Sequence, residues 1–559
     1  VRVIEQVRTQ LRQALADAVN RAVAAGDLVG PAPSTIILEM PKDKAHGEYA
    51  TNVAMIMAKP ERKAPRAVAE AIVKHLNTEG TWVEGAEIAG PGFINLRLKF
   101  GWIHQVAGAV QAEGEAYGRS EHGRGKRILL EYVSANPTGP MVLVQARSGA
   151  YGSTLARVLN AAGYHCNSEF YVNDAGNQVR LLAKSVDLRA QELRGDTVEI
   201  PEGCYPGEYV IDAARDLLEL DPDFLQKPKE QRLAFLEQWA PEYFRKGQEI
   251  VLANYGVVFD RWFSERSLRD AHKPAELVKR LLASDEAYEA DGAVWMRTTK
   301  YGDDKDRVLV KSDGEFTYFS ADACYHMDKY DRGFDILIDI LGQDHHGYLG
   351  RMKAMVECLG HTKESLEILF TQMVRLFKDG QEFRMSKRAG NFVLMEDLLS
   401  QVSVDAARYF FLMRGLDAHM DFDLDLANLK SSDNPVFYVQ YAHARICSIL
   451  RQAEEAGLSV PAAEAAELSL LRDESELDLL RKLADFPEEI IAAADAREPH
   501  RISRYVTEVA TVFHSFYTRC RVITEDVALT KARLVLCDAT RLVLRNALTM
   551  LGVSAPERM

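Results

Sequence analysis

The chain has 559 residues, a formal net charge of −14 at pH 7, 47% hydrophobic and 27% charged residues. This is the ordinary composition of a globular protein, long enough for three or more domains, and the charge speaks against indiscriminate nucleic-acid binding. A local basic surface on an acidic protein can still hold a phosphate backbone. Seven cysteines lie scattered at 166, 204, 324, 358, 447, 520 and 537 without a CxxC pair, which speaks against a disulfide framework or a structural zinc site and for a reducing cytoplasm. No apolar run reaches the length of a membrane span, and the N-terminus reads as a charged amphipathic helix, not a signal peptide.

Residues 1–112 read as a small α/β domain. Helical patterns at about 2–25 and 62–77 flank GEYATNVAMIMAK (47–59), whose stretch 52–58 suits a core helix, and a strand-like Phe93-Ile94-Asn95-Leu96-Arg97-Leu98 ends the unit. A Gly-, Glu- and Arg-rich stretch at 114–125 reads as a linker. The next domain, 120–400, opens with a buried strand at 128–133, a polar turn at 134–140 and a helix dotted with Ala146, Gly149, Ala150 and Gly152; Gly163 stands at its cap position. Such a unit brings a ligand to a helix N-terminus in doubly wound α/β domains, although a plain βα unit gives the same pattern.

A strand at 167–172 leads into Asn173-Asp174-Ala175-Gly176-Asn177-Gln178 and a helix over 178–194. The region from about 180 to 300 reads as mostly helical insertions, interrupted by an extended segment at 259–267 that carries Glu265. Strands follow at 293–297 and 307–311. A helix from 317 to about 330 puts Tyr318 and Asp322 on one face. A buried strand at 334–341 delivers Gly342-Gln343-Asp344-His345-His346-Gly347 at its C-terminal end, where open α/β sheets bind ligands. The vicinal histidines have no further ligand-spaced partners, so a nucleotide suits them better than a metal. A strand at 366–374 precedes the basic loop Arg384-Met385-Ser386-Lys387-Arg388-Ala389-Gly390-Asn391. Residues 401–433 form a connecting helical segment, and 434–559 read as a helix bundle with helices at 435–450, 476–494, 501–519 and 532–551.

EYVSANPTGP (131–140), NDAGNQ (173–178), GQDHHGY (342–348), MSKRAGN (385–391), NPVFYVQYAHAR (434–445) and the ending APERM (555–559) together resemble bacterial arginyl-tRNA synthetases, in order and over nearly the whole chain. The resemblance implies a Rossmann-type class I catalytic domain with helical insertions, an N-terminal domain that touches the tRNA elbow and an all-α anticodon-binding bundle. The chain departs from the family at its first signature. In most relatives the proline matching Pro140 is followed, one residue later, by His-Val-Gly-His or His-Ile-Gly-His; here those places read Val142-Leu143-Val144-Gln145. The second signature, Lys-Met-Ser-Lys-Ser, reads Arg384-Met385-Ser386-Lys387-Arg388.

The activity implied is ATP-dependent attachment of L-arginine to tRNA(Arg) through an arginyl-adenylate, with release of AMP and pyrophosphate. Mg2+ would accompany the ATP, no protein-bound metal is expected, and the protein would be cytoplasmic and monomeric. Carried over residue by residue, Glu265 and Asp322, with Tyr318 alongside, take the substrate guanidinium, whose planar fork a carboxylate meets with two parallel hydrogen bonds. Ser134, Asn136 and Gln343 hold the α-amino and carboxylate groups, and Glu131 orients this set. Gly342 and Asp344 lie at the ribose, and His345 or His346 borders the adenine. Met385 and Lys387 belong to the ATP site, where Lys387, aided by Arg384, Ser386 and Arg388, handles the phosphates. Gln145 is the polar side chain left in the first signature, a donor without charge. Losing one transition-state donor costs about 10²–10³ in rate, so the loop at 384–391 is expected to supply the missing stabilisation. On the RNA side the resemblance implies Phe93 and Asn95 at the elbow and Tyr441, Arg445, His514, Tyr517 and Met559 at the anticodon. The lost histidines raise one alternative: a non-catalytic paralogue that binds tRNA or amino acid without adenylation.

Overall fold

A computed structural model gives the fold and describes residues 3–39, 41, 43, 46–383 and 393–559, the side chains of 344–346 excepted. At the N-terminus, α1 (Val3–Ala24) forms because Ile4, Val7, Leu11, Leu15, Ala18 and Val19 recur on one face, all buried. It is followed by β1 (Tyr49–Thr51), α2 (Val53–Glu61), α3 (Pro65–Lys74), β2 (Val83–Ala89), β3 (Phe93–Leu98) and α4 (Gly101–Glu113). The strands make an antiparallel sheet in the order β1-β3-β2. The helix read at 62–77 is trimmed at its start by Pro65, which suits a first helical turn and not an interior.

The catalytic part runs β4 (Arg127–Glu131), α5 (Leu143–Ala161), β5 (His165–Val172), α6 (Asn177–Leu193), α7 (Glu208–Leu220), α8 (Lys229–Asn254), β6 (Arg261–Ser264), α9 (Glu265–Asp270) and α10 (Lys273–Ala283). A small antiparallel sheet, β7 (Ala287–Ala290), β8 (Ala293–Met296) and β9 (Arg307–Val310), precedes α11 (Tyr318–Asp331), β10 (Ile336–Gly342), α12 (Leu349–Cys358) and β11 (Leu366–Thr371). The central sheet is parallel throughout, in the order β11-β10-β4-β5-β6. Its middle strands read as continuous apolar runs because both faces are covered; Ile128, Leu129, Leu130, Leu337 and Ile338 are buried. The insertion helices α6, α7 and α8 hold a core of their own around Leu182, Val186, Leu217, Phe224 and Leu236.

Three sequence expectations change here. The segment read as extended over 259–267 is β6 followed at once by α9, so Glu265 opens a helix. The strand read at 366–374 is two: β11 ends at Thr371, and β12 (Val374–Lys378) joins a different sheet with β13 (Gln381–Glu382) and β14 (Met420–Asp423). The chain changes sheets at Gln372, whose backbone N–H donates to Leu416 O. Beyond α13 (Met395–Gln401), α14 (Val404–Phe411) and α15 (Leu424–Asn428), the C-terminal bundle packs α16 (Pro435–Glu455), α17 (Glu474–Ala484), α18 (Phe486–Ala496), α19 (His500–Arg519) and α20 (Val527–Leu551). Here the single helix read at 476–494 breaks at Asp485, with Pro487 seated in the first turn of the second helix.

Candidate active site

The turn after β4 is strained and over-determined. Val133 and Ser134 adopt φ of 70° and 35°, a region that costs non-glycine residues about 1–3 kcal/mol each. Hydrogen bonds hold them there. Val133 N–H donates to Ser148 Oγ at 3.2 Å. Ser134 Oγ donates to Glu131 Oε1 at 2.9 Å and accepts Tyr171 N–H at 3.1 Å. Asn136 is exposed, its side-chain oxygen 3.4 Å from Asn173 Nδ2. Gln248 of α8, buried, donates to the carbonyls of Asn136 and Gly139 and pins the turn from the insertion side.

The degenerate first signature forms the N-terminus of α5. Gln145, expected as a catalytic donor, spends its amide oxygen on the backbone, accepting Val142 N–H at 2.7 Å. That caps the helix and leaves only the amide nitrogen to donate. Leu143 N–H donates to Val393 O and Met395 N–H to Met141 O, both at 2.9 Å. The chain leaving the second signature is therefore paired to the first. Arg384, Met385, Ser386, Lys387 and Arg388 lie outside the described residues, as do the side chains of Asp344, His345 and His346.

Of the residues expected to bind arginine, Glu131 and Ser134 are bonded to each other, and Glu265 and Tyr318 line one cleft. Burial first, then the charges of Glu265, Asp322 and Glu131, push the Tyr171 phenol far above the usual range. Glu265 is 4% exposed and accepts Arg269 Nη2 at 2.7 Å. Asp174 of the NDAGNQ segment fixes the residues on either side of Glu265, accepting Ser264 Oγ at 2.5 Å and Arg266 N–H at 3.0 Å. Sequence reasoning gave Asp174 no role; its place in a motif immediately after a sheet strand was the available signal. Glu265, Arg269, Asp174 and Tyr318 line a cleft of about 930 Å3. Tyr318 is 76% exposed at its mouth, on the first turn of α11, and Thr317 Oγ1 caps that helix by accepting Ser320 N–H. Asp322 is half-buried one turn further on. Gly342 ends β10 opposite Thr371, and Gln343 is exposed where the next turn begins.

In the C-terminal bundle, four of the five expected anticodon contacts form one patch on α16 and α19. The Arg445 guanidinium lies 5.1 Å from the Tyr441 ring centroid and 5.5 Å from that of Tyr517. His514 stacks 6.0 Å from Tyr441 and tilts 4.8 Å from Tyr438, and burial pulls its imidazole below the usual range. Met559 is 54% exposed at the end of a tail tied to α16 by Pro556 O and His443 Nδ1. In the N-terminal domain Phe93 is half-buried. Asn95, in contrast to its expected role, is 6% exposed in the middle strand, opposite Ala50 and Glu87, which leaves little of its side chain for RNA. Among the described residues no helix is long and apolar enough to cross a membrane, and no His/Cys/Asp/Glu group is arranged to hold a metal ion.

Family models match the chain in three consecutive stretches: the arginyl tRNA synthetase N-terminal domain over residues 5–98, the class I (R) tRNA synthetase catalytic domain over 106–411 and the DALR anticodon-binding domain over 439–559. An arginine–tRNA ligase of Symbiobacterium thermophilum is 75% identical over 559 residues, covering all of both chains. One of Desulforamulus reducens is 47% identical over 557 residues, covering 100% of this chain and 99% of its own. The solved arginyl-tRNA synthetase of Thermus thermophilus shares the fold, with a TM-score of 0.71 at 22% identity over 98% of this chain and 100% of that one. The parallel sheet, the carboxylate cluster at its C-terminal edge and the helical bundle beyond it thus belong together, and this chain is a member of the arginyl-tRNA synthetase family.

Proposed function

We propose that the chain activates L-arginine with ATP and transfers it to the 3′ end of tRNA(Arg), as a cytoplasmic monomer, with Mg2+ arriving on the ATP. The observation that carries this reading is that the charges of Glu265, Asp322 and Glu131 all act on the Tyr171 phenol, beside an open cleft. Glu131 is met by Lys329 and Glu265 by the half-exposed Arg269, and a substrate guanidinium, with its planar set of five N–H donors, suits the place that Arg269 holds. Glu265 already carries a guanidinium, that of Arg269, and the substrate exchanges with it. Neutral citrulline would leave a carboxylate unpaired, and lysine would bring charge without the fork.

The protein's share of the chemistry is positioning and electrostatics. Ser134, held by Glu131 and Tyr171, faces the amino and carboxylate groups together with Asn136 and Gln343. The first signature contributes helix α5 and the Gln145 amide, with no imidazole donors. Compensation falls to the cations of the second signature, Arg384, Lys387 and Arg388; the residues that follow it, Val393 and Met395, are bonded to Leu143 and Met141. The patch of Tyr441, Arg445, His514 and Tyr517 offers π-faces and a cation to unstacked anticodon bases.

The test is attachment of labelled arginine to total tRNA with ATP and Mg2+, beside a lysine control. Arginine-specific charging is expected. Tight tRNA binding without charging would favour the non-catalytic paralogue and make Val142 to Gln145 the lesion.

A further inference from the structure

Beneath the cleft, one buried hydrogen-bond chain joins the two ends of the arginine site. Ser134 Oγ donates to Glu131 Oε1 at 2.9 Å, and Glu131 Oε2 accepts Lys329 Nζ at 2.7 Å. The same ammonium donates to Asp339 Oδ1 at 2.8 Å, and Asp339 Oδ2 meets His326 Nε2 at 3.0 Å. His326 Nδ1 then donates to the Asp322 backbone carbonyl at 2.8 Å. Lys329 is 0% exposed, His326 and Asp339 3%, and Glu131 7%. β4 and β10 are neighbouring strands of the parallel sheet, and the chain ties α11 to both.

We propose that Lys329 and His326 are positioning residues that fix the distance between the two ends of the arginine site, resting on the reading that Ser134 faces the amino-acid head and Asp322 the guanidinium. The four inner members, Glu131, Lys329, Asp339 and His326, are buried, so a broken link between them leaves a donor or acceptor unpaired away from water, and the chain therefore holds one arrangement. A carbonyl pinned at Asp322 sets where that side chain leaves the helix. An ammonium shared by Glu131 and Asp339 sets where β4 presents Ser134. The hydrogen-bond chain ends at Ser134 and Asp322, both assigned to arginine, so it acts on arginine recognition and not on ATP.

The test uses the full-length protein with tRNA(Arg) in ATP–pyrophosphate exchange, comparing Lys329→Met, His326→Gln and Asp322→Asn. His326→Gln keeps an amide near Nε2 for Asp339 and has none near Nδ1 for Asp322, a small change to the core. Both positioning variants are expected to raise KM for arginine about tenfold, with KM for ATP and kcat within about threefold of the parent. An unchanged arginine KM in a folded variant, or arginine and ATP KM values rising together, overturns the proposal. Should Lys329→Met fail to fold, His326→Gln alone decides. Asp322→Asn reports on the site reading separately: if it leaves arginine KM unchanged, the assignment of the guanidinium end is wrong, whatever the positioning variants do.

Discussion

At the guanidinium end of the cleft, Glu265 and Arg269 sit one turn apart on α9, the carboxylate buried and the arginine side chain 52% exposed. The pair neutralises Glu265; if Glu265 takes the substrate guanidinium as proposed, an incoming arginine has to displace Arg269. Replacing Arg269 by Met removes the competitor and leaves the empty site with an unpaired buried charge. Arg269→Met is therefore expected to lower KM for arginine about threefold while also lowering the melting temperature of the ligand-free protein. Arginine titration by calorimetry beside a thermal melt checks both signs, and a weaker arginine affinity would show that Arg269 is a wall of the site. Tyr318 and Asp322 were legible in the sequence because helical spacing alone puts them on one face. Lys329 and His326 were not, because their partners are Glu131 and Asp339, contributed by two other segments, and no local pattern announces a buried ion pair.

Helix α5 shows what its small residues are for. An added Cβ on Gly152 would come 2.3 Å from the Tyr132 ring, itself 1% exposed and locked between the sheet and the helix. Gly152→Ala has to push that ring, and with it the strained Val133–Ser134 turn. The expected cost is about 1–3 kcal/mol of stability, read as a lowered melting temperature, together with reduced adenylate formation; a variant with unchanged stability would mean that the turn yields freely. The stripe of small residues could be read from the sequence, but not the ring it accommodates. Elements with strong periodicity, such as β3, β4 and α20, were legible for the same reason: burial on one face or on both leaves a local signature. The apolar run at 366–374 misled because periodicity cannot register a change of sheet, which depends on Leu416 accepting from Gln372. The segment at 259–267 misled because α9 is short and is capped from outside, by Asp174, 92 residues from Arg266.

In the C-terminal bundle the buried His443 and the half-buried His500 and His514, and in the catalytic part His361, all have imidazoles pulled below 6.5 by burial. The unfolded chain then binds protons that the folded chain refuses, so stability is complete above 6.5 and falls as pH drops from there through the folded values. Melting temperature is expected to decline between about pH 7 and pH 5.5, and His514→Gln should blunt the decline; a flat profile would mean that the rings take up protons without strain. Beside Tyr151, Thr154 and Arg497, Arg408 is one of the side chains that tie the parts together. It is 0% exposed, with no carboxylate among its partners, and burial draws its guanidinium down to about 10. From α14 it donates to Leu551 O at the end of α20, to Tyr255 O after the insertion helix α8, and to Ser153 Oγ and Thr154 Oγ1 on α5. The last helix of the bundle thereby closes, through one side chain, on the helix that begins with the first signature, and a cation at a helix C-terminus is also favoured by the helix dipole. Arg408→Met keeps the stem and strands these acceptors without a donor, at a cost of about 3 kcal/mol or more. Because the loss falls at the junction, calorimetry is expected to split one unfolding transition into two, the bundle separating from the catalytic part. A single transition at the parent temperature would show that the remaining contacts join them and that the buried guanidinium is incidental to the coupling.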